Sequence, residues 1–166
     1  MLILQEINII KYNINMLDIE DFKKKLDKKS RLMGIDPGGK RIGIAISDEN
    51  KIVATPYTTI IKYKYSDFLK EIKKIVDENQ IKGIVVGNPI NMDGTIGKSS
   101  QSATDFSKNL SKNITIPIAM WDERLSSEAA FKITKELTSN TSNKIKKIDK
   151  NAAAFMLQGA IDFLSN

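Results

Sequence analysis

The chain has 166 residues, 41% of them hydrophobic, carries 26 Lys and Arg against 20 Asp and Glu for a net charge of +6, and contains neither His nor Cys. That composition excludes Ser-His-Asp triads, Cys nucleophiles, imidazole or thiolate zinc sites and structural disulfides, leaving carboxylates, Lys, Arg, hydroxyls or a hard ion such as Mg²⁺ to carry any chemistry. The length suits one domain with a single core, the positive charge suits a polyanionic partner such as nucleic acid, and the lack of a membrane-length apolar run, a signal-peptide pattern or Cys predicts a cytoplasmic protein.

Residues 1–30 read as an N-terminal extension to a domain covering 31–166. Met1 to Asn15 is rich in Ile and Asn without a clean period, and Met16 is an alternative start. Met16 to Leu26 predicts a short helix with Leu17 or Ile19, Phe22 and Leu26 on one face.

From Arg31 the pattern alternates. Strands at about 31–36, 41–48 and 51–60 form an antiparallel set, and Pro56 places the third at an edge or on a bulge. Strand alternation puts Asp36 on one face with Leu32 and Gly34, and it separates Ile42, Ile44 and Ile46 from Gly43, Ala45 and Ser47. Asp36 thus ends an apolar strand beside small residues, just before the Pro37-Gly38-Gly39 turn and the cations Lys40 and Arg41. Such an acid either bonds the turn's own amides or serves a site, and the two cations suit a phosphate-bearing substrate.

A helix follows, capped by Ser66 and burying Phe68, Ile72, Ile75 and Val76. The run 81–87 reads as a central parallel strand, 99–112 as a helix with Ala103, Phe106 and Leu110 inward, and 114–121 as the next strand. Ser126 or Ser127 caps a helix burying Ala129, Ala130, Ile133 and Leu137; Thr138 to Lys147 reads as a mobile polar and basic tract; and a last helix spans about Asp149 to Leu164. Three antiparallel strands followed by alternating helices and strands predict an α/β mixed sheet with helices on both faces.

Two further acids fall where such a sheet binds ligands. Asp122-Glu123-Arg124 follows the strand ending at Trp121, and alternation sends the two acids to opposite sides, so that only one reaches the site; Glu123 has the longer arm, which leaves Asp122 to hold Arg124 or a loop. Asp149 lies on the line of Ala152, Ala153, Met156, Ala160 and Leu164 at the start of the last helix, as an N-cap or as a member of a site. Gly97-Lys98-Ser99 imitates a P-loop, but only two residues separate Gly94 from Gly97 where that loop needs four. What remains is either a connecting turn or a helix N-terminus that binds one backbone phosphate through Lys98 and Ser99.

In their order and spacing, Gly34-Ile35-Asp36-Pro37-Gly38-Gly39-Lys40-Arg41-Ile42-Gly43, Val86-Gly87-Asn88-Pro89-Ile90-Asn91-Met92-Asp93-Gly94, Asp122-Glu123-Arg124-Leu125-Ser126-Ser127 and Asp149-Lys150-Asn151-Ala152-Ala153-Ala154 resemble the YqgF/RuvX family. The four blocks span nearly everything after Ser30; Asn88 and the Ser126-Ser127 pair are mild departures. The resemblance implies a ribonuclease-H-like fold and a nuclease, either of precursor 16S ribosomal RNA or of Holliday junctions. It further implies that Asp36, Glu123 (or Asp122) and Asp149 are catalytic and that Asp36, Glu123 and Asp149 hold Mg²⁺ or Mn²⁺. Lys40, Arg41, Lys98, Ser99 and Arg124 then grip structured RNA or branched DNA, and cutting both strands of a junction would require a homodimer. Two other classes compete: a phosphotransferase of the actin and sugar-kinase type, for which the chain is too short, and a non-catalytic nucleic-acid-binding protein, which leaves the three placed acids without a role.

Overall fold

The computed structural model describes residues 15–62, 64–125 and 142–166, with side chains in the last segment from Asp149 onward. The expected helix capped by Ser126 or Ser127, with Ala129, Ala130, Ile133 and Leu137, lies outside the described residues, as do residues 1–14.

Three strands form the antiparallel set: β2 (Arg31–Pro37), β3 (Arg41–Ser47) and β4 (Ala54–Ile61). Two parallel members, β5 (Ile81–Asn88) and β6 (Ile118–Asp122), extend the sheet beyond β2. A two-residue strand, β1 (Met16–Leu17), pairs parallel with β6 at the far edge. The resulting order is β1-β6-β5-β2-β3-β4, the mixed sheet expected from sequence with one short strand added. β4 lies at the edge and also carries a bulge, since its pairing slips between Thr58 and Pro56; a proline lacks the N–H that an inner strand would need.

Strand alternation divides the core in two. Met33, Ile35, Ile42, Ile44, Ile46, Ile84 and Val86 face α2 (Tyr65–Glu78) and α3 (Lys98–Ser111), which contribute Phe68, Ile72, Ile75, Phe106 and Leu110. Leu32, Ala45, Val85, Ala119 and Trp121 face the other way, toward Phe22 of α1 (Ile19–Lys25) and the apolar stripe of α4 (Ser142–Ser165). Helices therefore cover both faces. Phe22 is fully buried against Gly83, and Asn15 bonds the Ile114 and Ile116 carbonyls while its own carbonyl accepts from Ile118 N–H, so residues 15–26 pack as part of this body.

Several boundaries differ from the sequence pattern for local reasons. β4 starts at Ala54 rather than at residue 51 because the Asp48 carboxylate takes the amides of Ile52 and Val53 at 2.7 and 2.8 Å, and Lys51 turns the chain in the left-handed region. β6 starts at Ile118 because Ile114 N–H still closes the end of α3 on Leu110 at 3.1 Å and Pro117 cannot donate. α2 begins at Tyr65, without a side-chain cap from Ser66. The largest correction concerns the last helix. It begins at Ser142, so Asp149 does not open it but stands two turns in, and residues 142–147 of the supposedly mobile tract are helical.

Candidate active site

The small residues on the Asp36 face make room for a helix. An added Cβ at Gly34 would stand 2.7 Å from the Leu157 Cβ, and one at Gly43 would overlap the Asp149 carbonyl, so α4 lies directly on both glycines. Advancing two residues along β2, from Gly34 to Asp36, covers about 6.6 Å. Stepping four residues back along α4, from Ala153 to Asp149, covers about 6 Å. α4 thus runs antiparallel to β2 and carries Asp149 to the end of the strand where Asp36 stands, with Gly43 as the cross-strand partner of Asp36.

Glu123 arrives from the other side. It opens a single turn of 3₁₀ helix, Glu123–Leu125, at the end of β6, and its Oε1 fills the space where a side chain at Gly87 would be. β5 lies between β2 and β6, so a glycine at this point of β5 lets the Glu123 carboxylate extend across it toward Asp36. The sequence assigns no role to Gly87, although an isolated glycine inside an apolar strand is the usual sign of a close approach.

Charge and burial now combine. Burial, then the negative charge of Asp149, pushes the Asp36 carboxyl up to about 6. Burial, followed by the charges of Asp36 and Asp122, pushes Glu123 up to about 7. These two acids stand in one another's field with little water to screen them, the condition that a hard divalent cation relieves. Asp149 is engaged elsewhere: its Oδ2 accepts from Arg41 Nε at 2.8 Å. Among the described residues no three acidic side chains are gathered at metal-holding spacing.

Asp122 takes a separate part. Its carboxylate accepts Arg124 Nε at 3.0 Å and Nη2 at 2.7 Å as well as the Arg124 backbone N–H at 3.0 Å, and the arginine holds its carboxyl below the usual range. Of the alternatives that alternation leaves open, Glu123 extends toward Asp36 and Asp122 fixes Arg124.

The expected phosphate-gripping residues ring this end of the sheet. Lys40 lies exposed on the β2–β3 turn and Arg41 at the start of β3, and Lys98 and Ser99 lie exposed at the start of α3. The loop before α3 is a closed turn, with Thr95 N–H on the Asp93 carboxylate at 2.9 Å and Gly94 in the left-handed region, while Ser100 Oγ donates to Asn88 Oδ1 at 2.6 Å and ties the helix to the end of β5.

Comparison with known proteins agrees with this architecture. Residues 30–163 match the family model described as "RuvX: Holliday junction resolvase". A protein of Pelagibacter ubique (strain HTCC1062) named "Putative pre-16S rRNA nuclease" is 52% identical over 151 residues, 91% of this chain and 100% of that one. A protein of the same name from Rhodobacter capsulatus is 42% identical over 148 residues, 89% of this chain and 93% of that one. Among solved structures, T. thermophilus RuvC in complex with a Holliday junction substrate superposes with a TM-score of 0.50 at 11% identity, covering 76% of this chain and 91% of that one, which is a likeness of fold.

Proposed function

This chain belongs to the RuvX family, and from that premise we propose that it is a metal-dependent nuclease that processes the 5′ end of precursor 16S ribosomal RNA in the cytoplasm. The observation that supports this most is the pair Asp36 and Glu123, two half-buried carboxyls raised by desolvation and by like charge at the ends of β2 and β6. Acids raised in this way by desolvation and a charged neighbour are candidates for a functional site. Their oxygen donors fit Mg²⁺ or Mn²⁺, with Asp149 as the third ligand once its bond to Arg41 is given up. When bound, such an ion supplies Lewis acidity at the phosphodiester.

The protein's own groups do the rest. Arg41, Lys40, Lys98 and Ser99 bind backbone phosphates without reading sequence. Arg41 is then a shared partner: a substrate phosphate competes for its guanidinium with Asp149 and frees that carboxylate to turn toward Asp36. Asp122 keeps Arg124 in one orientation, so the arginine meets developing phosphate charge without further ordering. In the overall reaction, water adds to phosphorus, one P–O bond breaks, and the departing oxygen takes up the proton that the water loses.

The test is parallel incubation of a precursor 16S RNA and a four-way DNA junction with Mg²⁺ or Mn²⁺ and with chelator. Metal-dependent trimming of the RNA supports the proposal. Cleavage of the junction alone would make the chain a resolvase acting as a homodimer, and binding of either without cleavage would make it a non-catalytic binding protein.

A further inference from the structure

A cleft of about 500 Å³ opens beside the Pro37–Gly39 turn, one residue beyond Asp36 and on the side of the sheet that α2 and α3 cover. That volume falls within the range of pockets that hold small ligands, roughly 300–1,000 Å³. Its walls are of three kinds. Lys62 and Lys98 supply positive charge, and Ser99, in the first turn of α3, supplies a hydroxyl. Tyr65 and Phe106 supply ring surface, and Lys62 Nζ lies 5.9 Å from each ring centroid, which limits the freedom of a side chain that is otherwise loose. Asp105 supplies a carboxylate.

The carboxylate is the informative member. In a cleft built only for phosphate it would repel the ligand, and it is not neutralised by an ion pair with either lysine. Asp105 accepts Gln101 Nε2 at 3.2 Å, one of the roughly four acceptor positions a carboxylate offers. An acceptor beside phosphate-binding cations suits a ligand that carries a hydrogen-bond donor next to its phosphate. On a nucleic-acid backbone the donor is the ribose 2′-hydroxyl, which DNA lacks.

We propose that this cleft seats one ribonucleotide of the substrate strand outside the scissile position, its phosphate on Lys62, Lys98 and Ser99, its sugar hydroxyl on Asp105, and its apolar surface against Tyr65 and Phe106. The proposal rests on the nuclease reading and adds to it a means of choosing RNA over DNA.

Binding without cleavage tests it. Fluorescence anisotropy of the full chain in chelator, at one fixed salt concentration, compares single-stranded RNA and DNA twelve-mers of identical sequence. The wild-type chain binds the RNA more tightly. Lys62→Gln weakens both strands roughly fivefold, the worth of one solvent-exposed ion contact, whereas Lys73→Gln, two turns along α2 from Tyr65, removes the same charge and changes either by less than about twofold. Asp105→Ala weakens RNA alone and closes the gap between the strands. All three residues are exposed, and matching melting temperatures verify that each variant is folded. The proposal is overturned if the wild-type chain binds DNA as well as RNA, if Lys73→Gln costs as much as Lys62→Gln, or if Asp105→Ala leaves the preference intact or strengthens both strands alike. Wild-type cleavage alongside such results sinks the cleft alone. The expected binding pattern without cleavage under metal sinks the nuclease reading and leaves the cleft standing.

Discussion

The Glu123 carboxylate occupies the space in which Gly87 would carry a side chain. A strand residue and an acid from the end of the neighbouring strand are therefore a matched pair, and the match is specific to glycine. Gly43 is equally crowded, but there the obstacle is the Asp149 backbone carbonyl rather than the end of a side chain.

The two glycines predict different phenotypes. Gly87→Ala displaces a flexible carboxylate, so the fold holds and cleavage falls by at least about tenfold, because misplacement by even 1 Å is costly at a reacting centre. Gly43→Ala must move α4 itself and destabilises by about 1–3 kcal/mol, or about 2–4 °C in melting temperature for each kcal/mol. Gly39→Ala, whose added methyl meets nothing within 4 Å beyond its chain neighbours, leaves the melting temperature unchanged. Thermal melts and cleavage rates of the three variants separate these outcomes, and a Gly43→Ala protein as stable as wild type would mean that α4 does not lie on β3.

Asp36 makes stability depend on pH. Its carboxyl rises from 3.8 to about 6 on folding, so the folded chain holds the proton more tightly than the unfolded one. The stability this contributes is complete below pH 3.8 and is lost as the pH rises through about 6. Asp36→Asn removes the loss, so its melting temperature exceeds that of wild type at pH 7.5, by up to about 3 kcal/mol in stability, and converges with it near pH 4. A difference independent of pH across that window would contradict the half-buried, charge-opposed environment. Glu123→Gln behaves alike over a window from 4.5 to about 7, but the two effects overlap, because each carboxylate burdens the other.

The same groups govern metal binding. Mg²⁺ or Mn²⁺ raises the melting temperature at pH 7.5 or above, where the carboxylates are ionised, and chelator reverses the rise; at saturation near one hundred times the dissociation constant the gain is about 2.7 kcal/mol. At pH 5 Asp36 and Glu123 hold protons and the gain largely disappears. Asp36→Asn abolishes it at both pH values. An undiminished metal-induced shift in that variant would place the ion elsewhere.

Much of this arrangement is legible in the sequence because strand period and burial speak the same language. Ile42, Ile44 and Ile46 alternate with Gly43, Ala45 and Ser47, and the structure sends the isoleucines to one core and Ala45 to the other, with α4 seated on Gly43. Pro56 announces both an edge and a bulge. The start of α4 is not legible: its first turns, Ser142 to Lys147, are polar and basic and lack the apolar stripe by which a helix announces itself. β1 is missed because two residues carry no period, and β6 is drawn too long because Ile114 and Ile116 have strong strand propensity that the end of α3 overrides. At the site, alternation separates Asp122 from Glu123 without saying which one faces Asp36; that is settled by the space at Gly87, a contact between distant strands.

The most direct measurement is cleavage of precursor 16S RNA by wild type and Asp36→Asn at saturating Mg²⁺, with RNA binding measured alongside in chelator. Asparagine keeps the volume of the side chain and removes its charge, so the account predicts that binding is retained while trimming of the 5′ end is lost. Intact trimming by Asp36→Asn under those conditions would contradict it.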